Sequence, residues 1–210
     1  MKGLFITFEG TEGSGKTTQI SLLAERLRSM GCGVRTLREP GGTPIGEEIR
    51  HTLKHSPANH AMTPEAELLL MNASRAQLVR EVIRPALTSG KIVLCDRFYD
   101  STMAYQGYGQ GLGREVVETI HRVVLGAFKP DLTLILDLPV EAGLGRAEAR
   151  GTVNRYERMD SAFHQRLRQG FQDIAKREPD RCLVIDATQP ADTVAEAVAE
   201  AVRSRLSVTV

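Results

Sequence analysis

Tryptophan is absent from the 210-residue sequence, and aromatic residues make up only 5% of it. The three cysteines are an odd number and form no CxxC pair, so neither a disulfide framework nor a zinc site is indicated. No apolar run approaches the roughly 20 residues that a membrane-spanning helix needs. The N-terminal apolar segment meets Glu9 too early for a signal peptide, and no small-residue cleavage site follows it. We therefore expect a reduced protein of the cytoplasm without a membrane partner.

An excess of either charge is also missing, because 27 Lys and Arg residues face 26 Asp and Glu residues, for a net charge of +1. Binding to a nucleic-acid duplex by broad phosphate neutralisation needs a clear basic excess, so we expect no nucleic-acid partner. The sequence also lacks repeats, linkers and low-complexity segments. Its hydrophobic share of 41% and charged share of 25% are those of a globular protein. We therefore expect one domain over residues 1–210.

Short apolar runs alternate with segments of helical periodicity along the whole chain. The runs predict five strands, at Leu4–Glu9, Val34–Arg38, Ile92–Asp96, Leu132–Asp137 and Cys182–Asp186. The periodic segments predict helices over residues 16–30, from 64 to before Pro85 or near Gly90, and over 114–125, 140–150, 162–177 and 191–206. Near-continuous apolar strands are typical of a parallel sheet covered on both faces. This alternation predicts one α/β domain, with the acidic ends of four strands at the ligand-binding edge.

Residues 10–17, GTEGSGKT, match the phosphate-loop pattern G-x-x-x-x-G-K-[ST] between the first strand and the first helix. Glycines allow successive backbone N–H groups to converge on phosphate oxygens, and the helix N-terminus adds positive charge. We expect Lys16 to be exposed there and to reach the β- and γ-phosphates, while the Thr17 hydroxyl holds Mg²⁺. The predicted nucleotide-binding residues are Gly10, Thr11, Glu12, Gly13, Ser14, Gly15, Lys16, Thr17 and Thr18. A glycine-rich turn that binds nothing is the alternative.

Three further segments carry polar side chains: REPGGT at residues 38–43, SRAQ at 74–77 and DRFYDSTMAYQG at 96–107. Asp96 ends a predicted strand, where an acid can organise Mg²⁺ or its waters. Arg97 follows it, so its guanidinium can emerge at the same edge and bind a phosphate bidentately. The alternative for Arg97 is an ordinary surface ion pair with an acid.

Together with the phosphate loop, these segments resemble the thymidylate kinase family in its bacterial form, over essentially the whole chain. The resemblance implies a three-layer phosphate-loop kinase fold: about five parallel strands, helices on both faces and a short arginine-bearing lid near residues 146–160. It also implies transfer of the γ-phosphoryl group of ATP to dTMP, giving dTDP and ADP for dTTP biosynthesis. Mg²⁺ as the cofactor and a homodimer are further expectations that follow from the resemblance.

The resemblance implies a set of dTMP-binding positions: Glu39, Arg50, Met71, Arg75, Arg97, Ser101, Thr102, Tyr105 and Gln106. Arg75 matches an arginine that reaches the carbonyl edge of the base. Met71 stands where the family usually has a phenylalanine that stacks on thymine, and a thioether covers a base face without true stacking. The alternative is that Met71 belongs to the core stripe of its helix, with Leu68 and Leu78.

Some family members carry an arginine inside the phosphate loop, where this chain has Glu12. The transition state of phosphoryl transfer spreads negative charge over equatorial oxygens, so we expect the compensating cations in the lid. The predicted catalytic residues are Lys16, Arg97, Glu12, Arg146, Arg150 and Arg155, with Arg158 as a further lid cation. We expect Glu12 to position Mg²⁺ or the acceptor through Arg97. A solvated helix face is the alternative for the lid arginines, and residues 151–160 are predicted to form an exposed loop.

Two other functions stay open from the residues alone. One is a kinase with the same fold for dUMP, another monophosphate or a metabolite hydroxyl. The other is an ATP-dependent switch or motor. A GTPase is disfavoured because the sequence has no N/TKxD-type segment.

Overall fold

The computed structural model of the protein describes residues 3–149, 151 and 155–206. Its sheet has the five predicted strands: β1 (Leu4–Glu9), β2 (Val34–Arg38), β3 (Ile92–Asp96), β4 (Leu132–Asp137) and β5 (Cys182–Asp186). All pairings are parallel, in the order β2-β3-β1-β4-β5. The central position of β1 places the phosphate loop that follows it in the middle of the carboxyl edge. The predicted α/β class and strand bounds are confirmed.

Nine α-helices connect and cover the strands within the described residues: α1 (Lys16–Ser29), α2 (Pro44–Lys54), α3 (Pro64–Leu78), α4 (Arg84–Thr88), α5 (Tyr99–Thr102), α6 (Arg114–Leu125), α7 (Val140–Glu148), α8 (Ser161–Arg177) and α9 (Ala191–Leu206). A 3₁₀ helix spans Pro57–Ala61, and π-helical turns span Val79–Ile83 and Met103–Gly109. In the described part of the chain no helix is long and apolar enough to cross a membrane.

Side chains on the two faces of the sheet enter different parts of the core. Ile6 and Phe8 of β1 pack in the cluster that also contains residues of α1 and α9, such as Leu27 and Val198. Phe5, the residue before Ile6, points to the opposite face and packs there in a cluster built with residues 78–83 and β3. Each fully buried apolar side chain contributes roughly 1.5–3 kcal/mol relative to its exposed state. The two-sided burial explains why these strands are almost continuously apolar.

The long helix that opens at Pro64 ends near Gly90, the second of the two predicted ends. Thr63 caps its start, with Oγ1 accepting from the backbone N–H of Ala66. Pro85 does not stop it, although proline lacks an N–H and its ring crowds the carbonyl four residues earlier. The π-helical turn Val79–Ile83 directly precedes α4, and such a widened turn accommodates the break in the hydrogen-bond ladder.

Two predictions at the lid need correction or fall outside the described residues. The predicted helix over residues 140–150 ends at Glu148, and Arg150 is not among the described residues. The described part of residues 151–160 is not uniformly exposed, because Tyr156 is only 5% exposed. Its ring packs edge-on against Tyr105 at 5.2 Å, so aromatic contact holds this segment against the body of the protein.

Candidate active site

A cleft of about 1470 Å³ opens at the carboxyl edge of the sheet. Its wall includes residues 12–18 of the phosphate loop and α1, the end of β3 and the start of α9. Eight cations line it: Lys16, Arg38, Arg50, Lys54, Arg97, Arg146, Arg155 and Arg158. Such a concentration of positive charge around a phosphate loop suits a polyphosphate ligand.

The phosphate loop takes the backbone conformations that its glycines allow. Gly13 and Gly15 have φ values of 70° and 88°, in the left-handed region that side-chain-bearing residues rarely adopt. Of the predicted nucleotide-binding residues, Gly10 and Thr11 lie outside the cleft wall, and residues 12–18 line it. The Thr11 hydroxyl oxygen is buried without a hydrogen-bond partner among the described residues.

Lys16 is buried, contrary to the expectation that it is exposed: only 7% of its surface is accessible. Its Nζ donates to Gly10 O at 3.2 Å, Thr11 O at 2.8 Å and Ser14 Oγ at 3.1 Å, so the loop wraps around the ammonium group. Burial, with the positive charge of Arg97, lowers the pKa of Lys16 from 10.5 to about 8. The ammonium group therefore stands at the centre of the loop that is expected to hold phosphate.

The backbone of the phosphate loop also lies directly against the backbone of α7. Gly13 and Gly143 of α7 approach so closely that a Cβ added at Gly143 would lie 2.5 Å from Glu12 O. Only glycine fits at that contact, because real Cβ atoms do not come so near another heavy atom. The helix that carries Arg146 is thus fixed directly on the loop.

Thr17 and Asp96 supply the donor set expected for a magnesium site. Thr17 Oγ1 donates to Asp96 Oδ2 at 2.9 Å across the cleft. No cluster of three or more His, Cys, Asp or Glu side chains suited to a metal occurs among the described residues. Mg²⁺ commonly takes one or two protein oxygens and completes its octahedron with water and substrate phosphates. One hydroxyl and one carboxylate therefore fit Mg²⁺ that arrives with a nucleotide.

Arg97 connects the phosphate loop with a second, narrow cavity. Its NH1 donates to Gly10 O and to Ser101 Oγ, both at 3.0 Å, and its NH2 donates to Glu12 Oε1 at 3.1 Å. Its φ of 69° makes it the one non-glycine residue with a positive φ in the described part of the chain. Such a conformation costs on the order of 1–3 kcal/mol and is typical of functional sites.

Glu12 is the acid that stands inside the phosphate loop. Burial alone would raise its pKa, but the charges of Arg97 and Lys16 and the hydroxyl of Tyr105 outweigh burial and lower the pKa to about 2. Tyr105 Oη donates to Glu12 Oε1 at 2.8 Å. Glu12 is therefore ionised at neutral pH and fixes both Arg97 and Tyr105.

The narrow cavity brings together eight of the nine residues predicted to bind the acceptor: Glu39, Met71, Arg75, Arg97, Ser101, Thr102, Tyr105 and Gln106. The ninth, Arg50, lines the large cleft instead and donates to Pro40 O at 2.9 Å. The last four follow β3 on α5 and the adjoining π-helical turn, which turns their side chains toward the same cavity. Tyr156, which the sequence analysis did not single out, completes the wall.

Arg75 is 2% exposed, and its guanidinium is bound by protein groups. Nε donates to Glu39 Oε2 at 2.8 Å and NH2 to Thr102 Oγ1 at 3.0 Å. Burial raises the pKa of Glu39, and the charge of Arg75 opposes that rise. Glu39 Oε1 remains without a hydrogen-bond partner among the described residues. The pair therefore offers the cavity a buried acceptor as well as a cation.

Met71 lies at the cavity wall, half-buried, and not in the core. Its neighbours on the helix, Leu68 and Leu78, are 2% and 0% exposed and belong to core clusters. Met71 packs on the edge of the cluster that contains Tyr105 and Phe163 while it lines the cavity. The thioether is thus available to a planar ligand.

The described lid arginines have different surroundings. Arg146 donates to Ala187 O at 3.0 Å and lines the cleft beside residues 187–190, and Arg158 lines the cleft as well. Arg155 also borders the cleft, but it donates to Asn59 O at 2.8 Å and forms an ion pair with the buried Glu67. The sequence analysis missed Glu67, because an acid in the first turn of a helix is ordinarily explained by the helix dipole.

Comparison with known proteins gives one consistent result. The thymidylate kinase family profile matches residues 8–198. A thymidylate kinase of Trichlorobacter lovleyi is 50% identical over 99% of this chain and 100% of its own length, and one of Caulobacter vibrioides is 51% identical over 98% of both. The crystal structure of a thymidylate kinase from Ehrlichia chaffeensis superposes with a TM-score of 0.78 at 36% identity, covering 95% of this chain and 98% of the other.

Proposed function

The chain belongs to the thymidylate kinase family and transfers the γ-phosphoryl group of ATP to dTMP, and we propose how its residues divide that task. The observation that carries the proposal is the bond between Arg97 and Glu12. It joins the phosphate loop, which suits the donor, to the narrow cavity, which suits the acceptor. A donor phosphate and an acceptor phosphate bound on its two sides would meet beside Arg97.

We propose that residues 10–18 hold the triphosphate of ATP, with Lys16 neutralising the β- and γ-phosphates. Lys16 already donates to two loop carbonyls and a hydroxyl, so an incoming phosphate exchanges these acceptors for charged ones, which form stronger bonds. Residues 187–190 border the same cleft beside Arg146 and are the proposed surroundings of the adenine.

Mg²⁺ is the proposed cofactor, held by Thr17 and Asp96 directly or through water. Their oxygens lie 2.9 Å apart at the cleft, which is compatible with an ion that is also bound by the nucleotide. When bound, the ion would neutralise charge on the β- and γ-phosphates. The chain's own contribution is to hold these two oxygens at the mouth of the phosphate loop.

Arg97 is the proposed clamp for the 5′-phosphate of dTMP, and Glu12 holds it in position. Two of the guanidinium nitrogens are anchored by protein acceptors, so the fork is oriented before the acceptor arrives, which reduces the entropy lost on binding. The remaining acceptor residues, Glu39, Arg50, Met71, Arg75, Ser101, Thr102, Tyr105 and Gln106, are proposed to surround the base and the deoxyribose.

Arg146 and Arg158 are the lid cations that we propose for the transferred phosphate, because both line the cleft. Arg150 keeps this predicted role as well, although it lies outside the described residues. The sequence analysis predicts the same catalytic role for Arg155. Because Arg155 forms an ion pair with Glu67, we propose that it orients the lid and does not itself bind the transferred phosphate.

A homodimer is the proposed assembly. Helix α3 packs between α2 and α6, and all three helices expose large apolar side chains: Ile45, Leu69, Val116 and Val123. Val123 is 79% exposed, and large apolar side chains exposed on neighbouring helices suit an interaction surface. Light scattering should give twice the chain mass.

The cytoplasm is the proposed location. All three cysteines carry free thiols, which suits a reducing compartment.

A coupled ADP-release assay tests the activity directly. Purified protein with ATP and Mg²⁺ is presented with dTMP, dUMP, AMP, CMP, GMP or no acceptor. We expect the highest rate with dTMP. A higher rate with dUMP would change the proposed acceptor, and equal ATP hydrolysis without any acceptor would contradict a kinase altogether. Omission of Mg²⁺ in the same assay tests the proposed cofactor, because the rate should then be lost.

A further inference from the structure

Glu67 of α3 is a carboxylate that is only 1% exposed and binds groups from two distant parts of the chain. Its Oε1 accepts from Gln106 Nε2 at 2.5 Å and from Tyr156 Oη at 2.7 Å. Its Oε2 accepts from Gln110 Nε2 at 3.1 Å and pairs with the Arg155 guanidinium. A buried carboxylate is tolerated only where donors of this number satisfy it.

The groups that bind Glu67 belong to two regions of the proposed site, the narrow acceptor cavity and the lid segment. Gln106 lines the narrow acceptor cavity. Arg155 and Tyr156 belong to the lid segment, where Arg155 borders the large cleft and Tyr156 borders the narrow cavity. The same carboxylate therefore bridges the acceptor cavity and the lid across 89 residues of sequence.

The bond to Glu67 also decides which way the amide of Gln106 points. An ionised carboxylate only accepts hydrogen bonds, so it selects the NH₂ end of the amide. The oxygen end, Gln106 Oε1, is buried and has no partner among the described residues. An orphaned buried acceptor costs free energy unless a donor reaches it. The N3–H of a thymine or uracil ring is such a donor, whereas N3 of cytosine is an acceptor.

We propose that Glu67 is a positioning residue that presents Gln106 as an acceptor to the pyrimidine imide and ties that arrangement to the lid segment through Arg155 and Tyr156. The inference rests on the proposed dTMP-kinase function. It assigns the discrimination between an imide and an amino-pyrimidine to a carboxylate that is screened from the ligand by Gln106. The placement of Arg155 and Tyr156 and the reading of the base then depend on one buried group.

The first test compares wild type and Glu67→Gln with dTMP and dCMP as acceptors. A glutamine can donate as well as accept, so it no longer dictates the orientation of the Gln106 amide. We expect KM for dTMP to rise by about tenfold, as for a lost hydrogen bond to a charged group, and the preference for dTMP over dCMP to fall by a similar factor. An unchanged ratio of kcat/KM for the two acceptors in a folded variant would overturn the proposal.

The second test separates the lid contact from general stability. Tyr156→Phe keeps the ring that packs on Tyr105 and removes only the hydroxyl, which donates to Glu67 and accepts from Arg155. We expect KM for dTMP to rise about threefold to tenfold. Tyr108→Phe is the matched control, because it also removes one hydroxyl–carboxylate bond, to Asp173 on α8, and Tyr108 is not among the residues that line either cavity. Tyr108→Phe should leave the KM for dTMP and the KM for dCMP unchanged.

A double-mutant cycle completes the test. Because Tyr156 is expected to act through Glu67, the effect of Tyr156→Phe on KM should be smaller in the Glu67→Gln background than in wild type. Fully additive effects, with melting temperatures lowered equally by the Tyr156 and Tyr108 variants, would leave only a structural role and overturn the proposal. Absence of dTMP phosphorylation by the wild type would instead contradict the proposed function.

Discussion

The carboxylate of Glu12 and the guanidinium of Arg97 form an ion pair, with 3.1 Å between Oε1 and NH2, that joins the phosphate loop to the acceptor cavity. Both side chains are largely buried, and the Tyr105 hydroxyl donates to the same carboxylate oxygen. An acid at this place in a phosphate loop would by itself repel a ligand phosphate. Paired with Arg97, it becomes a support that fixes the direction of the cation.

Replacement of Arg97 by alanine should weaken dTMP binding far more than it slows the chemical step. Hydrogen bonds to charged groups contribute about 1.5–3 kcal/mol, so KM for dTMP should rise by about tenfold to a hundredfold. A phosphate clamp that acts in both the ground state and the transition state leaves kcat less affected. Arg26→Ala, which removes a surface pair with Glu196, is the control and should change neither constant. A kcat loss without a KM change would contradict the clamp.

Removal of a lid cation should lower kcat and leave the KM for dTMP nearly unchanged, the reverse of the effect expected for Arg97→Ala. Arg146→Ala should lower kcat by about tenfold to a hundredfold, because the lid acts on charge that develops during transfer. The KM for dTMP should change little, since Arg146 lies beside residues 187–190 and outside the acceptor cavity. Steady-state kinetics with both substrates varied measures the two effects. If kcat stays at the wild-type value, Arg146 is a solvated helix residue without a catalytic role.

The pH dependence of ATP use should report on Lys16. Burial and Arg97 lower its pKa to about 8, against the opposing charges of Asp96, Glu12 and Glu9. Below that pH the group is an ammonium ion that attracts phosphate, and above it the neutral amine does not. We therefore expect kcat/KM for ATP to fall as the pH rises through about 8. Bound phosphate favours the charged form, so kcat itself should stay level to a higher pH.

Lys54 needs a control in that experiment, because burial and the neighbouring Arg50 and Arg97 also lower its pKa to about 8. Lys54→Gln removes its titration and leaves Lys16 in place. The alkaline fall should persist in this variant if Lys16 causes it. A profile that becomes flat in Lys54→Gln would assign the titration to Lys54.

The contact between α7 and the phosphate loop gives a prediction with an internal control. Gly143→Ala places a Cβ 2.5 Å from Glu12 O, and overpacking of this kind typically costs about 1–3 kcal/mol. We expect a lower melting temperature and a lower kcat/KM for ATP, because loop and helix must separate. Gly145 is in the same helix with open space around its Cβ position, so Gly145→Ala should stabilise the helix by roughly 0.5–1 kcal/mol. Equal behaviour of the two variants would contradict the contact.

The sequence predicts the sheet better than it predicts the partners of individual side chains. Four of the five strands are visible because each is a nearly continuous apolar run, whereas β2 is a weaker signal, with two arginines among its five residues. Helix α2 is not among the helices predicted from periodicity, since it has only two buried residues, Gly46 and Leu53, and so shows no clear apolar stripe. The burial of Lys16 arises from the wrapping of the loop around it, which a one-dimensional pattern does not contain.

Among the site residues, those close in sequence could be predicted together, and those brought together by packing could not. Residues 96–107 are close in sequence, and a helical spacing is enough to bring Ser101, Thr102, Tyr105 and Gln106 to one side. Glu67 and Tyr156 are 89 positions apart, and each has a satisfactory local explanation, as a helix-dipole acid and as a loop aromatic. Their contact depends on how α3 and the lid segment pack, so it becomes visible only in the fold.

A substitution at Met71 should strengthen the binding of dTMP. It borders the narrow cavity with Tyr105 and is half-buried, whereas Leu68 and Leu78 of the same helix lie in the core. A phenylalanine there could stack on the base, and aromatic stacking contributes roughly 0.5–1.5 kcal/mol beyond area burial. We therefore expect Met71→Phe to lower KM for dTMP by about threefold to tenfold with kcat nearly constant, since the base is remote from the reacting phosphate.

Met71→Ala is the matched opposite change and should raise KM for dTMP. A cavity-wall residue that is only half-buried loses less stability on truncation than a core residue, for which the cost is about 2–5 kcal/mol. Both variants should therefore melt close to the wild-type temperature. If instead both melt well below it while KM stays the same, Met71 contributes packing alone, and the face of the base is covered by Tyr105 or Tyr156.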